Sequence, residues 1–194
     1  LEKIMLKRLL LCICVGLAGC SGVDVQQYRQ EKPTLELRRF FTGHLDAWGM
    51  FQKRSGEVTK RFVVKIHGYP RGDQMILEEN FTYSDGTRQQ RIWTLTPDGE
   101  GRWRGRAADV VGEALGEVAG NTLHWKYVLS LPVDGKVYHV DFDDWMYLMD
   151  DSTMINRSSM SKFGVEAGQV TLFFRKQPEA PTPVTAPDAQ EIEQ

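Results

Sequence analysis

Cysteine is nearly absent: the chain has three, Cys12, Cys14 and Cys20, and none after residue 20. The remaining 174 positions therefore hold no disulfide, no thiol nucleophile and no cysteine metal site. A long apolar run is missing too. The stretch Leu9 to Gly19 falls short of the roughly 20 apolar residues that a membrane-spanning helix requires. Neither sign of charge dominates. From Cys20 onward 21 basic residues face 25 acidic ones, a net of −4, which gives no reason to expect a nucleic-acid partner. No segment has a convincing helical period, and no serine, histidine and acid are placed as a nucleophile, a base and its orienting group.

The start of the chain carries a signal. Met5-Leu6-Lys7-Arg8 is a short basic start, and the apolar stretch after it has the length of the h-region of a secretory leader. Leu17-Ala18-Gly19-Cys20 resembles the bacterial lipobox, in which small residues precede the cysteine that is acylated. That resemblance implies cleavage before Cys20, lipid on its thiol and amine, and stable anchoring by two or more acyl chains. A plain leader with a chance cysteine is the alternative. Ser21 stands where an aspartate would favour retention in the inner membrane, so the expected location is the outer membrane, facing the periplasm. Residues 20–34 are polar and read as a tether. From Gln177 onward Pro178, Pro181, Pro183 and Pro187 sit among polar and small residues, a composition expected to be disordered.

Residues 35–176 read as one all-β domain. Short alternating runs of Val, Phe, Tyr, Trp and Thr are separated by turn signals at Ser55-Gly56, Asp85-Gly86, Asp98-Gly99, Gly120-Asn121 and Asp134-Gly135. The turns set registers that can be checked against the alternation. A turn at Asp134-Gly135 pairs Leu131 with Tyr138, Leu129 with Val140, Tyr127 with Phe142 and Trp125 with Asp144. One at Gly120-Asn121 pairs Val118 with Leu123, Gly116 with Trp125, Ala114 with Tyr127 and Gly112 with Leu129. One at Ser55-Gly56 sets Gly49 against Phe62, Ala47 against Val64 and Leu45 against Ile66. Small residues thus face large ones on a single surface, as a close-packed interior requires. Consecutive hairpins sharing one face form a meander, and closing it removes its edges. The expected fold is a closed, calycin- or lipocalin-like barrel of roughly ten strands.

Four charged residues fall on the inner face. A three-residue loop after Ser84 sets Glu79 opposite Trp93 and Phe81 opposite Arg91, which makes Glu79 and Arg91 diagonal neighbours. A tight turn at Asp150-Asp151 pairs Met146 with Ile155 and Asp144 with Arg157, with Ser159 and Ser161 following on the same face. Buried charges are costly unless paired. Two self-satisfied ion pairs that fix register are one account of them. The functional account is a site in which Arg91 and Arg157 hold the acidic head of a lipid or fatty-acid-like ligand. Glu79 and Asp144 orient them, Ser159 stands nearby, and Trp93, Trp125, Tyr127 and Phe142 line the chain. The rivals are a solid, non-catalytic envelope protein that binds a partner on its outer surface, and a lipid hydrolase using Asp144 or Glu79. No cofactor is expected, catalysis is not expected, and the residues leave the oligomeric state open.

Other clusters point less far. His44, His67, His124 and His139 fall on the outer face, away from any interior metal or haem. Asp141, Asp143, Asp150 and Asp151 lack the spacing of a calcium loop. Arg102, Arg104 and Arg106 make a basic outer stripe suited to solvent, lipid headgroups or an acidic partner.

A set of segments spans nearly the whole domain. It comprises Phe41-Thr42-Gly43 with Ala47-Trp48-Gly49, Asp109-Val110-Val111-Gly112-Glu113-Ala114, Gly120-Asn121, Asp143-Asp144-Trp145-Met146-Tyr147 and Ser161-Lys162-Phe163-Gly164. On these the chain resembles a family of Gram-negative lipoproteins defined only as a domain of unknown function. The resemblance implies no catalytic residues. Relatives often encoded beside enzymes that modify unsaturated phospholipid chains would imply a lipid-related role. The stretch from Gly43 to Gly49 is also similar to the lipocalin signature on a first strand, but the register turns Trp48 outward where a lipocalin tryptophan points in.

Overall fold

The structure, a computed structural model, describes residues 22–133 and 135–178. The expected leader, Cys20 and the tail beyond Pro178 lie outside the described residues, as does Asp134 of the β7–β8 turn. Ten antiparallel strands follow one another around a closed barrel. They are β1 Gly43–Lys53, β2 Val58–Arg71, β3 Gln74–Tyr83, β4 Arg88–Pro97, β5 Arg102–Arg106, β6 Val110–Ala119, β7 Thr122–Val133, β8 Lys136–Leu148, β9 Thr153–Lys162 and β10 Val165–Lys176. Each pairs with its neighbours in sequence, and β10 returns to β1 along a ladder from Leu45–Lys176 to Lys53–Gly168. Among the described residues the buried side chains lie between Val25 and Phe174, and the ladder that closes the barrel joins β10 to β1.

Alternation builds the interior. On β2, Phe62, Val64 and Ile66 are buried while Arg61, Lys65 and His67 face solvent, the two-residue period of a sheet with one wet face. The small-against-large pairs form: Gly116 with Trp125, and, past a register shift between Phe51 and Gln52 that offsets a loop longer than expected, Gly49 with Phe62 and Ala47 with Val64. A Cβ on Gly116 would stand 2.0 Å from the Trp125 ring, and one on Gly105 of the next strand 2.3 Å from it. Trp125 fits only because both strands omit a side chain there. The four β7–β8 pairs form as expected, from Leu131–Tyr138 to Trp125–Asp144. Trp48 points outward and is exposed, so the departure from the lipocalin pattern stands.

Three registers differ from the sequence expectation. Between β6 and β7 the pairing shifts between Val111 and Leu115, around Gly112 at φ +70°. A bulge of this kind re-aims the strand, so Ala114 and Gly112 do not face Tyr127 and Leu129. Instead Val110 sits opposite Leu129, and Ala114 pairs with Gly105 of β5. Between β3 and β4 the three-residue loop sits one residue earlier, Ser84 to Gly86, closed by the Tyr83 amide on the Thr87 carbonyl, and this moves the register by two. That slip keeps the face but sets Glu79 directly opposite Arg91, Phe81 opposite Gln89 and Leu77 opposite Trp93. Between β8 and β9 the change is a single residue, and its consequence for the site is larger.

The two barrel ends are unlike. At one, a short helix α1, Leu37–Phe41, lays Leu37, Phe40 and Phe41 across the opening. It is tied down by the Lys176 ammonium, which donates to the carbonyls of Arg39, Phe40 and Thr42 at 2.5–3.2 Å. Part of the expected tether is docked as well. A 3-10 turn, Val25–Tyr28, buries Val25 and sets Tyr28 against Trp145 and Tyr147 on the outer wall. The turn at Gly120 lies beneath it: φ there is +55°, and a Cβ would meet the Tyr28 carbonyl oxygen at 1.7 Å. The glycine is needed for the turn and for the close approach.

Gly116→Ala is expected to push Trp125 out of its seat and destabilise the barrel by about 1–3 kcal/mol, the range for overpacking a filled core. Urea unfolding followed by tryptophan fluorescence measures this; an unchanged midpoint and spectrum would show that the Trp125 seat is loose.

Candidate functional site

The barrel axis holds a cavity of about 150 Å³. Phe41 of the plug closes one end of it. At the other end half-buried Tyr83 and exposed Gln89 are among its liners, so the cavity meets solvent there. Its wall is aromatic and aliphatic. Trp93 meets Trp125 and Tyr127 edge-on at 5.8 and 5.4 Å, and Tyr127 stacks on Phe142 at 5.0 Å. Trp93, Trp125, Tyr127 and Phe142, the aromatic residues expected on the inner face, line this cavity.

Of the four interior charges, three are present. Glu79, Arg91 and Asp144 line the cavity; Arg157 does not. The β8–β9 loop holds an Asx turn in which the Asp150 carboxylate accepts from the Ser152 amide at 2.8 Å, and the Met149 amide closes it on the Thr153 carbonyl. This loop is longer than a two-residue turn and changes the register by one. Trp145 pairs with Arg157, Tyr147 with Ile155, Met146 with Asn156, and Asp144 with Ser158. A slip of one turns every β9 side chain over. Arg157 is exposed and donates to Gln169 at 3.3 Å, while Ser159 faces outward opposite Asp143. Both leave the expected site, and Asn156 and Ser158 replace them.

Arg91 is also differently engaged. Its guanidinium grips Asp109 of the β5–β6 loop, with Nε 3.0 and 3.1 Å and Nη2 2.8 Å from the carboxylate oxygens, while Glu79 stands 4.0 Å away. Alternation could not reveal Asp109, which sits in a loop. Burial alone would lower the guanidinium, but the Asp109 hydrogen bonds and the Glu79 charge raise it above its ordinary value, so it stays charged. Its charge is spent on Asp109.

The deep end is acidic. Asp144 is 4% exposed and accepts a short hydrogen bond from the Ser158 hydroxyl. Burial lifts its carboxyl to about 6, against the pull of hydrogen bonds from Ser158, Tyr127 and Asn156. Burial likewise lifts Glu79 to about 7, with Arg91 opposing and Asp109 and Asp144 adding to the rise. Asn156 is 3% exposed, lines the same cavity, and has a side-chain carbonyl with no partner among the described residues. An unpaired buried acceptor costs about 1–3 kcal/mol, so it marks a place for a donor.

The outer surface accounts for the remaining clusters. All four histidines lie there: His44 stacks on His67, and His124 sits 2.7 Å from Asp143 and stacks on Trp145. The arginine stripe is largely neutralised. Arg104 pairs with Asp98 at 3.0 Å and Arg106 with Glu113 at 2.7 Å.

A family model described as a protein of unknown function, DUF3833, matches residues 14–176. The chain belongs to the DUF3833 family. No curated protein matches it. Among solved structures, this DUF3833 barrel is similar to the S-type phycobiliprotein lyase CPES from Guillardia theta. The TM-score is 0.55 at 5% identity, over 81% of this chain and 100% of that one. It is also similar to the redesigned β-barrel mFAP1 bound to DFHBI, with a TM-score of 0.41 at 11% identity over 73% of this chain and 100% of that one. At such identities the first likeness shows the barrel fold and nothing finer.

Asp144 and Glu79 titrate higher in the folded chain than the 3.9 and 4.3 of free carboxyls. Each therefore adds stability below about pH 4 that is lost as pH rises through its folded value. Asp144→Asn keeps an acceptor for Ser158 and removes that loss. Between about pH 4 and pH 7.5 the parent is expected to lose on the order of 2 kcal/mol relative to the variant, read from urea midpoints. Parallel pH profiles would show that Asp144 is not desolvated.

Proposed function

We propose that this barrel binds an amphipathic small molecule whose apolar body lies among Trp93, Trp125, Tyr127 and Phe142 and whose polar end donates hydrogen bonds. The observation that carries this is the orphan carbonyl of Asn156 beside Asp144 in a cavity whose wall is mostly apolar. Convergent polar groups in an apolar pocket are the usual form of a small-molecule site. The acidic head expected from two arginines loses its support, because Arg157 is outside and Arg91 is neutralised by Asp109. A hydroxyl, amide or ammonium suits Asp144, Asn156 and Glu79; a bare carboxylate would be repelled.

At about 150 Å³ the cavity is the size that accepts a benzene-sized guest, below the roughly 300–1,000 Å³ of most ligand pockets. A longer ligand extends toward the open end, past Tyr83 and Gln89. Anchoring through Cys20 at the outer membrane belongs to the same proposal and would supply ligands from the bilayer. Hydrolysis has less support: Ser158 and Asp144 are paired without a histidine, since all four lie on the outer wall.

Octanol, octylamine and octanoate share a chain and differ at the head. Octanol and octylamine are expected to raise the melting temperature at neutral pH more than octanoate does. Asn156→Leu should weaken the preferred ligand roughly tenfold, about the worth of one buried hydrogen bond. Octanoate binding best would refute the donor-headed ligand. Failure of all three, with no lipid extracted from natively purified protein, would refute the binding barrel.

A further inference from the structure

The β9–β10 turn carries a residue that folding does not explain. Phe163 and Gly164 adopt φ +53° and +75°, the pattern of a type I′ hairpin turn. The first of these positions normally takes Asn, Asp or Gly, because a bulky side chain is strained in the left-handed region. Phe163 is 91% exposed, so it combines backbone strain with an unburied aromatic ring. Observed strain of this kind points to a function.

Its neighbours share the exposure. Pairing of β7 with β6 ends at Val110–Leu129, and pairing of β8 with β9 ends at Asp141–Ser161. The tip of the β7–β8 hairpin therefore projects past the strands on both sides. It carries Val133 and Val137, 47% and 64% exposed, and Val165 beside Phe163 is 60% exposed. The Lys162 ammonium lies over Tyr138 at 4.3 Å and over Phe163 at 5.1 Å, joining the two tips. Both stand at the open end of the barrel, opposite α1.

Charge at this end is asymmetric. Glu57, Asp85 and Asp109 are engaged by Lys53, Lys60 and Arg91. Among the described residues Arg54, Arg61, Arg88, Lys136 and Lys162 form no ion pair, and Asp141 and Glu166 are the described acids left beside them. Separate apolar tips ringed by cations, rather than one flat apolar patch, suit a surface that is apolar at depth and anionic at its face. Basic residues are drawn to such a surface by its negative potential, within about a Debye length of it.

We infer that the open rim, led by Phe163 and the β7–β8 tip with Lys136 and Lys162, docks onto an anionic lipid bilayer and turns the cavity mouth toward it. This stands apart from the ligand reading, since it uses no residue of the cavity.

The test uses the chain from Ser21 to Gln194, which keeps every described residue and leaves out only the expected leader and Cys20. It is sedimented with vesicles of phosphatidylglycerol mixed with phosphatidylcholine, and with phosphatidylcholine alone. The parent is expected to bind the mixed vesicles more tightly. Phe163→Asn should weaken that binding about tenfold, the effect of withdrawing one aromatic ring from an apolar phase. Its melting temperature should be unchanged or higher, because asparagine tolerates the left-handed region. Leu115→Asn, an exposed apolar residue on the side wall, should bind as the parent does. Equal binding to both vesicle types, or undiminished binding by Phe163→Asn, overturns the inference. A parent that ignores vesicles but forms a dimer that Phe163→Asn dissolves assigns the rim to a second copy instead.

Discussion

The ladder between β10 and β1 gives the sheet an inside, and the rest of the molecule depends on that closure. A ten-stranded meander left open would offer two edges and a concave face wetted from both. Once β10 hydrogen-bonds to β1, every second side chain is removed from water. Apolar residues gain from this, and Trp125 finds room because Gly105 and Gly116 lack side chains where its ring lies. Polar residues with inward parity have no choice of surroundings. Asp144 and Glu79 are lifted toward neutrality by the same desolvation that stabilises Phe62 and Val64.

Closure also separates the molecule into two unlike ends. Phe41 and its neighbours seal one, held by hydrogen bonds from Lys176 to the carbonyls at the end of α1. The other is left with long hairpin tips and a mouth at Tyr83 and Gln89. Between them charge is unevenly placed: Arg91 is matched by Asp109 near the mouth, while Asp144, Ser158 and Asn156 lie deeper with no cation among them. The interior is therefore short of positive charge. Arg54, Arg61, Arg88 and Lys136 are exposed on the outer rim.

Much of the barrel was legible because hairpin chemistry and alternation are independent signals that agreed. The turn at 134–135 set the β7–β8 register, and Gly120-Asn121 and Ser55-Gly56 placed small residues against large ones; those pairs form next to Gly120-Asn121 and, at Ser55-Gly56, beyond a register shift between Phe51 and Gln52. Agreement failed where a turn carried no clear chemistry. Asp150-Asp151 reads as a two-residue turn, but Asp150 caps Ser152 and lengthens the loop, and β9 turns over. The run Thr153 to Lys162 offers little resistance to that error, because its two faces are almost equally polar. Placing Arg157 inside was the warning, since Asn156 and Ser158 are less costly to bury. Asp109 lay beyond alternation altogether, and Val25 and Tyr28 looked like a tether because so few residues cannot show a period.

Local chemistry along the chain, by itself, determined the class of fold, the strand number, the aromatic lining and the outward histidines, because these follow from period and turn type within a few residues. Only the tertiary structure decided which charges meet. Register across β8 and β9, the reach of the β5–β6 loop to Arg91, and the orphaned Asn156 carbonyl depend on where distant segments come to rest. A one-residue difference in a single loop exchanged Arg157 for Ser158 opposite Asp144, and with it the kind of ligand the interior can hold.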